Sequence, residues 1–450
     1  KTFNRYLVAA PGSVCRFART NLINNDPLSG TCPTSGGTSV PESQYTLTAG
    51  SQRRWATNEY WANTTSATAD FETGGISHTL VLGGDYSYET VETLPLSIPS
   101  FAEDSAGNPI AVPGSFVRYL LDPNPVLGYS ISIGPDRTLP PTRTRVQSFA
   151  AYAIDTIKFS PQWSVTLGAR YDTYDLNIYN PDSSTAAGLQ PLTLASSSEF
   201  MNWQASILYK PVEAMSLYAS WATSSNPSGE QVDGNSAAYN GITASTQSLK
   251  PERNKSWEAG AKYEAFNGEL LLTAAAFQIT KDNARENIGN NVYQLVGRLR
   301  SRGLEFGASG NIGPRVQVFA GYTYTDAKIT RTSAANAANL GRRFANIPQH
   351  SGSILANYAL TEHIQIGGQV YAQSRITGEG TTALGQTPSI PGYVRFDAMA
   401  RYQPTERLQF RLNVLNLADK RYYDAIYRSS SPFSYVAPGR SGTLTASYTF

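Results

Sequence analysis

The stretch Trp163-Ser-Val-Thr-Leu-Gly-Ala-Arg-Tyr-Asp172 decides the fold. Trp163, Val165, Leu167, Ala169 and Tyr171 alternate in it with Ser164, Thr166, Gly168, Arg170 and Asp172. Two residues is the side-chain period of a β-strand, so one face of the segment is apolar and the other polar. The pattern recurs in Leu408, Phe410, Leu412 and Val414 against Arg407, Gln409, Arg411 and Asn413. It recurs again in Ile364 and Ile366 against Gln365 and Gln369, and in Leu444, Ala446, Tyr448 and Phe450 against Thr443, Thr445, Ser447 and Thr449. Hardly any segment follows the helical period. Leu270 to Phe277 is apolar on both faces and leaves its register open.

The connections alternate between short and long. Tight turns are expected at Thr73-Gly74-Gly75, Ser160-Pro161-Gln162, Pro211 to Ala214, Phe266-Asn267-Gly268, Ile312-Gly313-Pro314, Leu360 to His363 and Pro404-Thr405-Glu406. Long links are expected near 10–44, 93–143, 180–197, 225–250, 283–291, 330–345, 378–389 and 420–437. Such alternation sorts every long loop to one end of the strands, as in a transmembrane barrel with short periplasmic turns and long extracellular loops. In lipid an unpaired backbone group finds no water, which makes closure the β solution. The expectation is an all-β transmembrane antiparallel barrel with about 16 strands visible, its apolar side chains toward lipid and its polar ones toward a wet lumen or a plug. Tyr171, Tyr174, Tyr322, Tyr324, Tyr358, Tyr402, Tyr422 and Tyr423, near strand ends, are expected in interfacial aromatic girdles.

Composition agrees with a surface that does not face water. Only 16% of the 450 residues are charged while 11% are aromatic, 27 of them Tyr. A net charge of +2 without a lysine-rich block gives no pull toward nucleic acid. No apolar run approaches the ~18 residues of a transmembrane helix. Cys15 and Cys32, close together in a Gly-, Pro- and Ser-rich stretch, read as one loop disulfide made in an oxidising compartment and worth roughly 3 kcal/mol. The chain opens on the strand-like Lys1-Thr-Phe-Asn-Arg-Tyr-Leu-Val without a secretory signal, as though entered partway.

Several segments carry a resemblance. Leu249-Lys-Pro-Glu-Arg-Asn-Lys-Ser-Trp-Glu-Ala-Gly-Ala-Lys-Tyr-Glu with Phe266-Asn-Gly-Glu-Leu resembles a hairpin of TonB-dependent siderophore receptors. Ser301-Arg-Gly-Leu-Glu-Phe-Gly, Asn346-Ile-Pro-Gln-His-Ser and Asn413-Val-Leu-Asn-Leu-Ala-Asp-Lys-Arg-Tyr-Tyr are similar to further family segments, in order. The ending from Pro438 to Phe450, an alternating strand closing on Phe, resembles the family's final strand and the assembly signal of outer-membrane barrels. These segments cover roughly the last 200 residues; the first 250 agree in hairpin rhythm. The resemblance implies that residues 1–450 are the C-terminal barrel portion of a receptor with about 22 strands, its N-terminal plug domain absent from this chain. It also implies a monomer of the Gram-negative outer membrane, in contact with lipid and lipopolysaccharide, that imports a ferric siderophore, catecholate-type favoured, using energy from the TonB-ExbB-ExbD complex through the missing N-terminal part.

Motifs for catalysis are not found. His78, His350 and His363 lie far apart, and neither a His-Glu-x-x-His nor a Cys-x-x-Cys motif occurs, so no protein-held metal or cofactor is expected. The chain reads as a non-enzyme, and Gly83-Gly84 as a close-packed strand position. Iron would arrive already chelated, presenting anionic oxygens and flat surfaces. Arg offers a planar charged fork and Tyr or Trp a stacking surface for such a ligand. The arginines gather as Arg285, Arg298, Arg300 and Arg302, as Arg331, Arg342 and Arg343, and as Arg421, Arg428 and Arg440. Candidate substrate-binding residues are Arg118, Arg285, Arg342, Arg343 and Arg428, with Tyr119, Trp221 and Tyr239 as stacking partners. The other reading of any one arginine is a bond to lipopolysaccharide phosphate or to a carboxylate such as Glu286 or Asp326. The proline-rich link 93–143 is expected to fold over the mouth as a lid. Two alternatives have other signatures: a passive 16-stranded porin would conduct without a plug, and a secreted sugar-binding β protein would need no detergent.

Overall fold

The computed structural model describes the backbone of residues 5–9, 31–33, 39–41, 46–52, 55–94, 96–97, 101–103, 109–111, 116–119, 134–135, 138–185, 188–230, 242–288, 292–378, 387–426 and 434–450, and the side chains of 55–94, 138–181, 191–230, 242–288, 292–378, 387–426 and 434–450. Fifteen strands form one antiparallel sheet in which every sheet neighbour is the next of these strands in sequence. They are β1 (Trp55–Thr73), β2 (Ile76–Leu94), β3 (Thr142–Lys158), β4 (Trp163–Thr185), β5 (Gly188–Val212), β6 (Met215–Asn226), β7 (Glu252–Ala265), β8 (Leu270–Asn287), β9 (Tyr293–Ile312), β10 (Val316–Arg331), β11 (His350–Ala359), β12 (Ile364–Gln373), β13 (Tyr393–Tyr402), β14 (Leu408–Leu415) and β15 (Ser441–Tyr448). Among the described residues the only helical segment is a 3-10 turn, Ala334–Asn339, between β10 and β11.

All seven expected tight turns join consecutive strands at one end of the sheet. At the first, Gly74 and Gly75 both take positive φ, the handedness that suits strand twist. Phe266-Asn267-Gly268 does the same with φ of 51°, 56° and 89°. Among the described residues the main sheet has fifteen strands, in keeping with the expected 16 or so. Arg5–Ala9, strand-like in sequence, pairs with Thr46–Gln52 in a separate three-stranded sheet. One expectation needs correction. The link expected at 180–197 is largely strand, since β4 continues to Thr185 and β5 resumes at Gly188.

Register keeps the two faces apart across many strands. Tyr263, Leu272, Ala308, Ala320, Ile354, Val370 and Phe396 pair in succession from β7 to β13, a single apolar rung. One residue along, Lys262, Thr273, Gly307, Gly321, Ser353, Tyr371 and Arg395 make the polar rung on the opposite face. A slip of one residue in any strand would exchange the two sets, which is why the pattern fixes the register. The apolar face is open: Ile354 is 57% exposed, Phe396 47% and Leu444 70%. So large an uncovered apolar area suits a surface that meets lipid.

Candidate ligand-binding wall

The polar face carries two arginine and tyrosine clusters. On the first, Arg170 of β4 donates from Nη1 to Asp85 Oδ2 at 2.6 Å and from Nε to Asp172 Oδ1 at 2.8 Å. Its guanidinium lies 5.6 Å from the Tyr152 ring centroid. Tyr152 takes that place because Gly83 lacks a side chain: a Cβ at Gly83 would stand 2.2 Å from the ring. The close packing expected at Gly83 is thus what lets the ring lie under the arginine. Thr64, Asn202 and Gln204 complete the surrounding hollow.

Above this cluster the described parts of the β6 to β7 link, 227–230 and 242–251, pack onto the polar face. Tyr174 donates its hydroxyl to Gly229 O at 2.9 Å, and Ile242 is buried with Val146, Leu176, Ile178 and Leu194. Gly229 has φ of 81°, and a Cβ there would meet Leu176 at 2.1 Å, so glycine is required on both counts. Tyr174, expected in a girdle, is therefore an inner anchor for a loop; it lies three residues from the outward Tyr171 and so on the other face.

The second cluster sits on β12 and β13. Arg395 donates to Asp397 Oδ2 from Nη2 at 2.9 Å and to the Tyr422 hydroxyl from Nη1 at 3.3 Å. Its guanidinium is 5.7 Å from the Tyr371 centroid. Tyr393 stacks between Tyr371 and Tyr422, with centroids 5.7 Å and 4.1 Å away. Tyr422, also expected in a girdle, is buried here against Tyr393 and Ala437.

Three of the segments that carried the resemblance hold loop clamps. Glu252, of Leu249-Lys-Pro-Glu252, accepts from Lys281 Nζ at 2.8 Å and from the Arg285 backbone N–H at 2.9 Å. Asn346, at φ of 60°, gives Nδ2 to Ile426 O and receives Ile426 N–H on Oδ1, both at 2.8 Å, while its own N–H bonds Thr377 O at 2.9 Å. One residue, through its side chain and its backbone N–H, thereby fastens three loops around buried Ile376, Ile390 and Ile426. Asn416 bonds Lys420 O and Pro438 O, and its N–H donates to Asp397 Oδ1 at 2.8 Å, coupling the last long loop to the Arg395 cluster.

The residues expected to bind substrate are scattered. Arg118 and Tyr119 lie on Phe116–Tyr119, paired with Thr46–Gln52 outside the main sheet. Arg285 is turned toward the polar side, with Nη2 3.4 Å from Pro227 O and with Nε and Nη1 unpartnered among the described residues. Arg342 bridges loops by donating to Asn339 Oδ1 at 3.0 Å and Thr387 Oγ1 at 2.7 Å. Arg343 donates to Thr325 O at 3.1 Å. Trp221 is corrected: it pairs with Trp257 on the apolar face, ring centroids 6.1 Å apart, and does not line the polar wall. Tyr239, Arg428 and Cys15 lie outside the described residues; Cys32 is in Thr31–Pro33, paired with Ser39–Pro41. The link 93–143 contains short pairings, Leu96–Ser97 with Gly134–Pro135 and Phe101–Glu103 with Pro109–Ala111.

Asp326 pairs as expected, with Lys328 at 2.8 Å and Arg302 at 3.5 Å. Glu286 instead holds the β10 to β11 loop, accepting from Thr332 Oγ1 at 2.9 Å and Ser333 N–H at 2.8 Å. Each histidine has a non-metal partner: His78 bonds Asp155 at 2.8 Å, His350 the Tyr322 hydroxyl at 2.8 Å and His363 Gln403 O at 2.9 Å. Among the described residues no three His, Cys, Asp or Glu side chains gather as a metal site. Arg170, Tyr152, Arg395 and Tyr371 were not singled out as ligand residues from sequence; their signal was a charged or aromatic residue on the polar phase of a strand.

Comparison with known proteins gives these faces their setting. A family model described as "TonB dependent receptor-like, beta-barrel" matches residues 17–417. The probable TonB-dependent receptor BfrD of Bordetella pertussis is 33% identical over 399 residues, 86% of this chain and 52% of that protein. The probable TonB-dependent siderophore receptor PiuA of Acinetobacter baumannii is 29% identical over 87% of this chain and 53% of its own length. Its crystal structure superposes with a TM-score of 0.74 at 26% identity, covering 90% of this chain and 56% of that one. The ferric-catecholate import receptor Fiu of Escherichia coli K12, in its closed form, gives 0.75 at 25% identity, covering 91% and 57%. The chain spans about half the length of the relatives it matches. With a match over most of its residues, this chain belongs to the β-barrel family of TonB-dependent receptors of the Gram-negative outer membrane.

Proposed function

We propose that this chain forms the wall of a receptor that binds a ferric siderophore at the cell surface and imports it with energy delivered by the TonB complex. The observation that carries the reading is the pair of arginine and tyrosine clusters on the lumenal face, Arg170 with Tyr152 and Arg395 with Tyr371, Tyr393 and Tyr422. Each offers a guanidinium fixed in orientation by at least one carboxylate, with N–H groups to spare beside an aromatic face. A chelate of catechol type, flat and rich in anionic oxygen, suits that pairing of donor and stacking surface. PiuA is named as a siderophore receptor and Fiu as a catecholate one, and both support the class. Arg285, Arg118, Tyr119, Tyr239, Arg342, Arg343 and Arg428 belong in this reading to strand ends and links that meet the ligand before the wall does, and 93–143 to a lid over it. Iron is cargo here; the protein itself supplies hydrogen bonds and stacking.

The test is uptake of iron-55 as a ferric tris-catecholate by cells carrying the full receptor. Arg395→Ala and Arg170→Ala should each lower uptake roughly tenfold or more at unchanged receptor level, a charged hydrogen bond being worth about 1.5 to 3 kcal/mol. Uptake that survives both, or that persists without TonB, would sink the reading. A porin would in addition show ion conductance in bilayers that no chelate blocks.

A further inference from the structure

We propose that Arg401 and Arg411, near the short-turn end of the lumenal face, form a second anion seat, which receives the chelate after it leaves the Arg395 cluster and passes it toward the periplasm. The inference rests on the import reading above and adds to it one step and the residues that serve it.

Register makes the pair. Arg401 of β13 and Arg411 of β14 stand directly opposite each other. Arg401 is six residues from Arg395 on the same strand and so on the same face, roughly 20 Å nearer the turn at Pro404-Thr405-Glu406. Residues directly opposite hold their Cβ atoms about 4.5 to 5.5 Å apart, and like charges at that spacing repel. The flanking residues on the rung are neutral, Gln365 beside Arg401 and Thr445 beside Arg411. Those one rung nearer the mouth, Gly367, Met399, Asn413 and Thr443, are neutral too. Asp397, the carboxylate on this face of β13, is already taken by Arg395 and by the Asn416 N–H. Among the described residues neither arginine forms an ion pair, and Arg401 Nε is buried without a hydrogen-bond partner.

A strand pair that keeps two guanidiniums opposite each other carries an electrostatic cost, and an anion between them offsets it. Arg401 is half-buried and Arg411 exposed, so the pair is open to the lumen. Unlike the Arg170 and Arg395 clusters, which meet a ligand first, the pair holds charge in excess. Lysines reach this end of the lumenal face too, Lys210 on β5 and Lys158 on β3, the latter opposite Ser77 and Ser164, but they stand singly. On β7 and β9 the same face carries Glu258, Glu264 and Glu305 with Lys262 among them, a wall that an anion avoids.

The line of β13 selects the occupant. It carries Arg395 above and Arg401 below, so an anion released from the balanced upper cluster meets the unbalanced charge farther down, on the way to the periplasmic turns. Two adjacent planar forks suit the several anionic oxygens of a ferric chelate. A carboxylate of another polypeptide segment in the lumen would fit the same charge, and the experiment separates the two.

The experiment uses cells carrying the full receptor and ferric tris-catecholate labelled with iron-55. Surface binding is measured in cells without TonB, and the initial rate of uptake in cells with it. The double variant Arg401→Gln, Arg411→Gln should bind at the surface as the wild type does and import roughly tenfold more slowly, the scale of a lost charged hydrogen bond. Arg401→Lys with Arg411→Lys should restore most of the rate. If the double variant does not reach the outer membrane, the exposed Arg411→Gln alone is used, expected to slow import about threefold at unchanged surface affinity. Import at the wild-type rate, or surface affinity that falls as far as the rate does, would overturn the seat. So would ion conductance of the double variant in bilayers without chelate, which would assign the pair to holding a polypeptide carboxylate. Wild-type uptake independent of TonB would sink the import reading and the seat with it, whereas a TonB-dependent wild type beside an unslowed variant would sink the seat alone.

Discussion

The two faces of the sheet use arginine in opposite ways. On the lumenal face Arg170 touches two carboxylates, Asp85 and Asp172, and Arg395 touches Asp397 and the Tyr422 hydroxyl. Carboxylates outweigh the charge of Arg170 and match that of Arg395 before any ligand arrives. On the outward face of β7 to β10 one carboxylate serves three cations, and the charge is left over. A balanced arginine recognises by the direction of its spare donors and the ring beside it, whereas an unbalanced patch recognises by charge alone. The first mode selects shape; the second attracts any suitably placed anion and weakens in salt.

The lumenal mode depends on loops being held, so it breaks most readily at a clamp. Asn346→Ala removes both side-chain bonds to Ile426 and puts alanine at positive φ. About 2 to 4 kcal/mol of local stability should go, from two unmade bonds and a strained backbone. Amide exchange at Ile426 should quicken roughly 100-fold while strand amides such as that of Ile354 keep their rate. Exchange that stays slow at Ile426 would show that buried Ile376, Ile390 and Ile426 hold the loops without the clamp.

Salt separates the two faces directly. Between about 50 mM and about 500 mM sodium chloride, lipopolysaccharide binding at the outward patch should fall roughly tenfold, because the screening length drops well below the patch width. Affinity for the ferric tris-catecholate should change by less than about threefold over the same range, since neither lumenal cluster carries excess positive charge. Equal salt slopes for the two ligands would end the distinction between them.

How much of this was legible in the sequence follows from the same two faces. A period of two survives in any strand with lipid on one side and water on the other, so Trp163–Asp172 announces its faces without a neighbour. The tight turns were readable because Asn267-Gly268 and Gly74-Gly75 need positive φ. What sequence could not show was which long loops fold inward. Tyr174 and Tyr422 have the composition of girdle residues, and only contact with Gly229 and Tyr393 reveals them as inner anchors. Trp221 has the opposite history: it looked like a stacking partner, and the pairing with Trp257 puts it toward lipid. The expected ligand arginines were chosen for lying in loops, which favoured Arg342, now a bridge between loops, over Arg170 and Arg395 in strands.

Removing a lumenal carboxylate should cost recognition. Asp172→Ala frees Arg170 Nε, and the guanidinium, 40% exposed, can then turn toward Asp85 and away from its present fork. Stability should fall by only about 1 kcal/mol, since water reaches the group. Affinity for the ferric tris-catecholate should fall roughly fivefold through lost orientation, not through charge, as the site becomes more positive. A rise in affinity would mean that the lumenal wall also works by net charge.

The outward counterpart should move the other way. Asp282→Asn keeps the size of the side chain beside Arg298 and Lys255 but removes its charge, raising the patch excess. Because both cationic partners are about half exposed, stability should stay within about 0.5 kcal/mol. Lipopolysaccharide affinity should rise about twofold to threefold, and uptake of the ferric tris-catecholate should not change. The paired result, where loss of a carboxylate weakens binding on one face and strengthens it on the other, follows only if one face reads geometry and the other reads charge. If Asp282→Asn weakens lipid binding instead, the carboxylate is needed to hold Arg298 and Lys255 in place, and the outward patch shares the oriented mode of the lumen.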